Sequence, residues 1–216
     1  MTPTIVNFAS AEFRKGQERL RESLRIWAPN CLHAIYTEAN IDYRHLPMYG
    51  FKIAAIERSG ARRFLWLDSS LYLRAPLDEL WRDLDRQGYA VQWNDPNCIL
   101  GKWASDKALA FFNMTRDRAM ALPDCMGTAF ALDLGHRTGA AIFDTLKKAM
   151  AGGVFDGPRN NVNQSCSRDI RCLGHRYDQT ALSLILHTMG LWAAPWETYV
   201  SLRTGSFAPM ILDRIC

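Results

Sequence analysis

The stretch Phe64-Leu65-Trp66-Leu67-Asp68-Ser69-Ser70 is the most informative part of the sequence, because it joins a short apolar run to an acid and two small hydroxyl residues. A run of this kind between polar residues predicts a buried strand. The segment before it, residues 53–60, predicts a helix that ends at Gly60. A helix, a short turn and a buried strand form the unit of a parallel α/β sheet, whose ligands bind just past the carboxyl ends of the strands. Asp68 is therefore expected at a ligand-binding edge, where a carboxylate can hold a divalent cation and, through it, a diphosphate.

The same Asp-Ser-Ser sequence has a second interpretation. Asp and Ser side chains after a strand often bond to nearby backbone N–H groups, and they then form only a turn or a helix cap. The remaining motifs of the chain favour the ligand site over this simpler interpretation.

Composition is that of an ordinary globular protein. The chain has 216 residues, of which 48% are hydrophobic and 22% charged, and this suits one domain over residues 1–216. No apolar run is long enough to span a membrane, and the first seven residues do not resemble a signal peptide, so a cytoplasmic protein is expected. The six cysteines form no C-x-x-C pair, which predicts free thiols rather than a zinc site. A formal net charge of +4 does not by itself imply a nucleic-acid partner.

Apolar runs recur along the chain, with amphipathic helical segments between them. They predict further strands at residues 5–9, 32–36, 71–73, 89–93, 128–132 and 191–194. The alternation predicts an α/β fold of the Rossmann type, with a mostly parallel central sheet and helices on both faces. Residues 154–174 show no period, and a loop of that length predicts a functional segment, here an active-site loop. Asp178, which follows it, is expected to cap the next helix.

Two sets of basic residues raise the question of an anionic ligand. The first helical segment carries a row of cations, which is either a solvated face or a surface for a polyanion: Arg14, Lys15, Arg19, Arg21 and Arg25. Lys52 stands in the first turn of the next helix, where positive charge is slightly unfavourable. It is therefore expected either to face an anion or to extend into solvent.

The common nucleotide and hydrolase motifs are absent, and the five histidines lack metal-ligand spacing. What remains is Lys52 in a helix, the strand with its acid at residues 64–70, a short apolar run at 71–73 and a Pro-Leu helix start at 76–80. This order resembles the core of nucleotide-sugar glycosyltransferases of the GT-A fold, in which an apolar strand leads into an acidic Asp-x-Asp motif.

Two later segments extend the resemblance to about residues 4–194. Residues 126–134 resemble the part that builds the acceptor side, and residues 176–182, Arg-Tyr-Asp-Gln-Thr-Ala-Leu, resemble the Asp-Gln helix start near the sugar in family 8-like members. The resemblance implies a nucleotide-binding part over about residues 1–100 and an acceptor part over about residues 101–216.

The resemblance also implies how a donor is held. Asp68 and Ser70 would bind Mn²⁺ or Mg²⁺, which bridges the diphosphate of a donor such as a UDP-sugar. Lys52 would face the phosphates. The base and ribose would lie against the end of the first strand, at Phe8, Ala9 and Ser10.

The catalytic groups implied by the resemblance are Asp178 and Gln179, close to the anomeric carbon. A carboxylate there could steady an oxocarbenium-like centre or remove the acceptor proton. Asp124 and Asp133 are further candidates for the base.

The chain departs from the family pattern in two ways. The second acid of Asp-x-Asp is Ser70 here, and no histidine follows His187 to complete a metal site. Two hypotheses stay open: a metal-assisted glycosyltransferase that uses a nucleotide-diphosphate sugar, and a non-catalytic module that binds such a sugar without turning it over.

The acceptor is open as well, and it is either a saccharide or a polymer. So short a chain suits an acceptor that brings its own large surface, such as a polymer. The arginines of residues 154–176 and of the first helix could contact phosphates. A modified DNA base, flipped into the site as in phage-type DNA glycosyltransferases, is therefore one possible acceptor. Such an enzyme would be encoded by a bacterium or a phage.

Overall fold

The computed structural model describes residues 2–202 and 208–212. Its strands are β1 (Thr4–Ala9), β2 (Leu32–Thr37), β3 (Arg63–Leu67), β4 (Leu71–Leu73), β5 (Tyr89–Ala90), β6 (Ala129–Asp133), β7 (Val200–Ser201) and β8 (Met210–Leu212). Its α-helices are α1 (Arg14–Trp27), α2 (Gly50–Ser59), α3 (Asp78–Gln87), α4 (Asp106–Phe111), α5 (Arg116–Met120), α6 (Arg137–Ala151) and α7 (Tyr177–Thr188).

The central sheet has the strand order β2-β1-β3-β6-β5. β1 pairs in parallel with both β2 and β3, whereas β6 is antiparallel to β3 and to β5. β5 therefore runs in the same direction as β3, and β6 alone is reversed within this sheet. The predicted mostly parallel sheet is confirmed. A small second sheet has the order β4-β8-β7.

Helices cover both faces of the central sheet, which explains why β3 is apolar at consecutive positions. Phe64 and Trp66 pack on one side, in a core shared with α2, α4, α6 and α7. Leu65 and Leu67 pack on the other side, in a core shared with α1 and α3. All four side chains are fully buried. The expected helices on both faces are thus confirmed.

Three local predictions need correction. The strand predicted at residues 89–93 is limited to β5, and Gln92 and Trp93 form only isolated bridges. Residues 191–194 do not form a strand, because their pairing is limited to one bridge between Gln92 and Ala194, directly before Pro195. Asp178 does not cap α7, because Arg176 occupies the N-cap position and the Asp178 side chain forms an ion pair with Lys52.

The loop at residues 154–174 contains no α-helix or strand, as predicted, but its interior is well bonded. Asn161 Nδ2 donates to the carbonyl oxygens of Ser167 and Cys172, at 3.0 Å each, and its Oδ1 accepts from the backbone N–H groups of Cys166 and Ser167. One amide side chain therefore gives the loop a defined shape.

Candidate functional site

The carboxyl ends of β1 and β3 meet at one edge of the sheet. Asn7 Nδ2 donates to the Leu67 carbonyl oxygen at 2.6 Å, and Ser69 Oγ donates to the Phe8 carbonyl oxygen at 3.0 Å. Both side chains are buried, so Ser69 is a structural residue that fixes the turn after β3. The turn interpretation of Asp-Ser-Ser thus holds for Ser69, whereas the Asp68 side chain takes no part in these hydrogen bonds.

A cavity of about 600 Å³ opens at this edge. Aromatic rings form one wall: the Phe8 ring centroid lies 4.9 Å from that of Phe51 and 5.4 Å from that of Tyr43. The polar side chains of the lining are Ser10, Glu12, Arg44, Asp68, Ser69, Ser70 and Arg159, together with the hydroxyl groups of Tyr43 and Tyr49. The cavity therefore combines an apolar wall with two carboxylates and two guanidinium groups. The wall suits a flat ring, and the guanidinium groups suit an anionic part of the same ligand.

Two of the predicted nucleotide-pocket residues, Phe8 and Ser10, line this cavity together with Asp68 and Ser70. Ala9 is buried within β1 and is not part of the lining. Its side chain points to the opposite side of the strand from those of its neighbours, as the alternation along a strand requires.

Lys52 connects the cavity to the interior. Its Nζ lies 3.0 Å from Asp68 Oδ1 and 2.8 Å from Asp178 Oδ2, and it donates to the Gly127 carbonyl oxygen at 2.8 Å. The Lys52 side chain is only 3% exposed, against 23% for Asp68 and 10% for Asp178. Lys52 thus faces anions, as one of the two predictions had it, but these anions are the carboxylates of Asp68 and Asp178. Contact with the phosphates of a donor would require Lys52 to release one of these partners.

Charge within this cluster is unbalanced, because two carboxylates share one ammonium group. Burial alone would lower the pKa of Lys52, but Asp178 and Asp68 outweigh that effect and raise the pKa, so the ammonium stays charged. Burial raises the pKa of Asp178 by more than the Lys52 ammonium lowers it. Because this folded-state pKa lies above the unfolded value, ionised Asp178 opposes folding at high pH, and that penalty is relieved as the pH falls.

Two tyrosines enclose the ion cluster at the N-terminal ends of α2 and α7. Tyr49 and Tyr177 stack with ring centroids 5.6 Å apart, and Lys52 Nζ lies 5.2 Å from the Tyr49 centroid. Both have positive φ, 63° for Tyr49 and 49° for Tyr177. Backbone strain of this kind in bulky residues concentrates at functional sites, where the surrounding structure holds it in place.

The start of α7 lies close to the backbone at Gly127, beside the ion cluster. A Cβ atom at this position would lie 2.8 Å from Gln179 Cβ and 3.4 Å from Asp178 Oδ2. The absence of a side chain at Gly127 therefore leaves room for the start of α7.

The two predicted catalytic residues lie behind the cavity rather than in its wall. Asp178 reaches Lys52, whereas Gln179 Nε2 donates to Asp124 Oδ2 at 2.5 Å. Neither lines the 600 Å³ cavity. The structure thus joins Asp68, Lys52 and Asp178 into one cluster and places Gln179 beside it.

The two further base candidates have no access to the cavity. Asp124 is fully buried and bonded to α7. Asp133 pairs with Arg63 in the β-ladder at the opposite edge of the sheet, since β6 is reversed, so its assignment as a base is wrong.

Sequence reasoning missed most of the cavity wall. Tyr43, Arg44 and Phe51 follow β2, whose carboxyl end lies at the same edge as that of β1. Their place after a parallel strand was the available signal, because such loops gather at one edge of the sheet. The roles of Tyr49 and Gly127 left no comparable trace in the sequence.

Comparison with known proteins rests on structure alone, because no protein-family model and no curated protein matches the sequence. Mouse xyloside xylosyltransferase 1, in its apo form, is similar with a TM-score of 0.51 and 9% identity, over 99% of this chain and 98% of that one. The bifunctional glycosyltransferase WbbM, also in its apo form, is similar with a TM-score of 0.53 and 11% identity, over 100% of this chain and 46% of that one.

This chain has a GT-A-like glycosyltransferase fold. The match to the mouse enzyme extends over nearly the whole of both chains, whereas this chain spans about half the length of WbbM. At these identities the likeness concerns the fold. Among the helices of residues 2–202 and 208–212, none has the length and apolar composition needed to cross a bilayer.

Proposed function

We propose that this protein is a glycosyltransferase that moves a sugar from a nucleotide-diphosphate donor to an acceptor hydroxyl. The observation that supports the proposal most directly is that Asp68, at the rim of an aromatic-walled cavity, is joined through Lys52 to Asp178. A cavity at the carboxyl ends of parallel strands, with an acid at its rim, is where α/β folds bind nucleotides. The Asp-Ser-Ser sequence is then a variant of the Asp-x-Asp motif in an enzyme related to family 8.

In this proposal the base of the donor, uracil in a UDP-sugar, lies against the aromatic wall. The phosphates then extend toward Asp68, Ser70 and the guanidinium groups of Arg44 and Arg159, which carry the opposite charge. Stacking on the rings of Phe8, Tyr43 and Phe51 supplies affinity for the base.

Replacing Tyr43 with alanine is expected to weaken binding of a nucleoside diphosphate by about tenfold, since base–aromatic stacking contributes about 1–3 kcal/mol. Isothermal titration calorimetry measures the change. Phe111→Ala removes an exposed ring that is not among the cavity-lining residues, and it serves as the control. Equal affinities for both variants would place the base elsewhere.

The residues present fit a divalent cation only in part. Asp68 Oδ1 already accepts from Trp66 Nε1 at 2.7 Å and contacts Lys52, whereas Oδ2 receives no such bond from the described residues. Within residues 2–202 and 208–212, no group of three or more His, Cys, Asp or Glu side chains could hold a metal. One carboxylate with the donor's phosphates is, however, a common Mg²⁺ environment. Asp68 and Ser70 would hold the ion, which would neutralise charge on the departing diphosphate.

Metal binding is therefore expected to require the nucleotide. Mn²⁺ alone should leave the melting temperature unchanged, whereas Mn²⁺ with a nucleoside diphosphate should raise it by several degrees more than the nucleotide does alone. Differential scanning fluorimetry with the four combinations measures this. Equal stabilisation by the nucleotide with and without Mn²⁺ would argue for a reaction without a metal.

The catalytic roles that we propose follow from what each group contacts. Asp178 fixes the Lys52 ammonium beside Asp68, and Gln179 offers its amide to the sugar. Electrostatic stabilisation by such fixed charges is strongest in a site that excludes water.

A donor screen tests the proposal and separates it from the alternative of a non-catalytic binding module. Each nucleotide-diphosphate sugar is incubated with the protein, with and without Mn²⁺, and released nucleoside diphosphate is measured. Slow hydrolysis of one donor supports the enzyme. Nucleotide binding without release from any donor would favour the binding module, and a lack of any nucleotide binding would exclude both.

A polyanionic acceptor, such as DNA carrying a modified base, is a second possibility that one feature favours. A cavity of about 320 Å³ between α1 and β2 is lined by Arg21, Arg25 and His33. The two arginines are one helical turn apart, where like charges repel each other, so an anion between them would be favourable.

The double variant Arg21→Gln/Arg25→Gln is expected to lose salt-sensitive binding to duplex DNA, with the slope of log affinity against log salt reduced by about two. Fluorescence anisotropy between about 50 and 200 mM salt, a range over which phosphate contacts weaken strongly, measures it. Wild-type protein that shows no binding at low salt would leave a saccharide as the acceptor.

A further inference from the structure

Asp124 is a buried carboxyl group that does not line the cavity, and it contacts Gln179 directly. It is fully buried in the segment before β6. Its two oxygens accept from two side chains of α7: Oδ2 from Gln179 Nε2 at 2.5 Å, and Oδ1 from Ser183 Oγ at 2.6 Å. Asp124 therefore binds the amide end of Gln179 and the next turn of the same helix.

An ionised carboxylate can only accept hydrogen bonds, so the Gln179 amide must turn its nitrogen toward Asp124. Its carbonyl oxygen, Oε1, then points the other way. No described residue donates to Oε1, and Gln179 is partly exposed. One end of the amide is thus fixed by Asp124, and the other receives no hydrogen bond from the described residues.

We propose that Asp124 is a positioning residue that holds the Gln179 amide with its carbonyl oxygen outward, as a hydrogen-bond acceptor for a hydroxyl group of the bound sugar. The sugar as ligand rests on the proposed function, whereas the orientation of the amide follows from the carboxylate alone. Gly127 supports the arrangement, because the absence of a side chain there lets Gln179 lie close to the backbone at this position.

The arrangement depends on the charge of Asp124. Burial raises the pKa of Asp124 to about 6, although the hydrogen bonds from Ser183 and Gln179 and the charge of Arg176 lower it. Once protonated, the carboxyl group can donate to Oε1, and the amide can turn to present its NH₂ group instead. The site then changes from an acceptor to a donor of hydrogen bonds as the pH falls.

The other titratable groups close to Asp124 are few in the described chain. Cys125 is buried and its pKa is raised well above its usual value by that burial. His187 Nε2 lies 2.8 Å from the Pro123 carbonyl oxygen and stacks on Trp93. Asp178 is held by Lys52 and has a raised pKa because of its burial.

The first experiment needs no donor. In ¹H–¹⁵N spectra of the free protein, the Gln179 side-chain amide is followed from pH 4.5 to 8, with Gln179→Glu to assign it and exposed Gln164 as the internal reference. We expect slower proton exchange than at Gln164 and a shift that titrates with a midpoint near 6, both lost in Asp124→Asn. An amide that exchanges as fast as that of Gln164, or that does not titrate, would overturn the proposal.

The second experiment exchanges the two groups. Asp124→Asn is expected to slow donor hydrolysis by about tenfold through kcat, because the amide orientation is no longer unique. In the double variant Asp124→Asn/Gln179→Glu, the introduced amide can donate to one oxygen of the introduced carboxylate and leave the other oxygen outward, so we expect recovery above both single variants. No recovery in a double variant with wild-type melting temperature would contradict the proposal.

The two experiments separate this inference from the proposed function. If no donor is hydrolysed but the amide titrates as expected, the positioning role stands and the glycosyltransferase activity fails. If a donor is hydrolysed but the amide does not titrate, the activity stands and the role of Asp124 fails.

Discussion

Lys52→Met is expected to destabilise the fold by about 3–5 kcal/mol, since removing one partner of a buried ion cluster leaves uncompensated charge. Lys52 is 3% exposed, and its loss leaves the carboxylates of Asp68 and Asp178 without their shared cation. Urea unfolding at pH 7 measures the loss. The penalty should shrink toward acid pH, because Asp178, whose folded-state pKa is raised by its burial, takes up a proton and its repulsion with Asp68 disappears.

The control variants distinguish charge from packing. Lys147→Met removes a half-exposed lysine of α6 that pairs with Glu57 and Asp144, and it should change stability by less than about 0.5 kcal/mol. Lys52→Met/Asp178→Asn removes one of the two unpaired charges and should recover part of the stability. If the double variant is as unstable as the single one, lost packing rather than charge explains the effect.

Asp68→Asn is expected to reduce donor hydrolysis by about 100-fold, the usual consequence of deleting one preorganised electrostatic group. Asparagine keeps an oxygen to accept from Trp66 Nε1 and from Lys52, so the free energy of unfolding should stay within about 1 kcal/mol of wild type. Release of nucleoside diphosphate from the donor found in the screen measures the rate.

Asp144→Asn is the matched control for Asp68→Asn. Asp144 is an exposed acid of α6 paired with Lys147, and it is not among the cavity-lining residues. Its replacement should leave the rate unchanged. An Asp68→Asn enzyme that keeps the wild-type rate would show that the acid at the end of β3 has no part in the reaction.

Prediction from the sequence worked where one local pattern carries the information. The apolar run at residues 64–67 predicted a strand buried on both faces, because successive side chains of a strand point to opposite faces and both faces of a covered parallel sheet are apolar. The position directly after this strand predicted Asp68 at the ligand-binding edge, and the resemblance to GT-A enzymes implied Phe8 and Ser10 beside it; all three line the cavity. The prediction of a strand failed at residues 191–194, where Ala194 alone pairs, with Gln92, and the backbone remains irregular.

Local patterns in the chain were enough to predict the alternation of helices and strands, the mostly parallel sheet and the edge at which Asp68 lies, because apolar periodicity is a local property. The contacts of the polar residues became known only from the packing of distant segments. Gly127 follows Lys52 by 75 residues and Asp178 comes later still, yet both lie within about 3 Å of the Lys52 ammonium. Their pairing, and the turning of Gln179 toward Asp124, depends on how α2 and α7 pack against the sheet, which no single stretch of the sequence encodes.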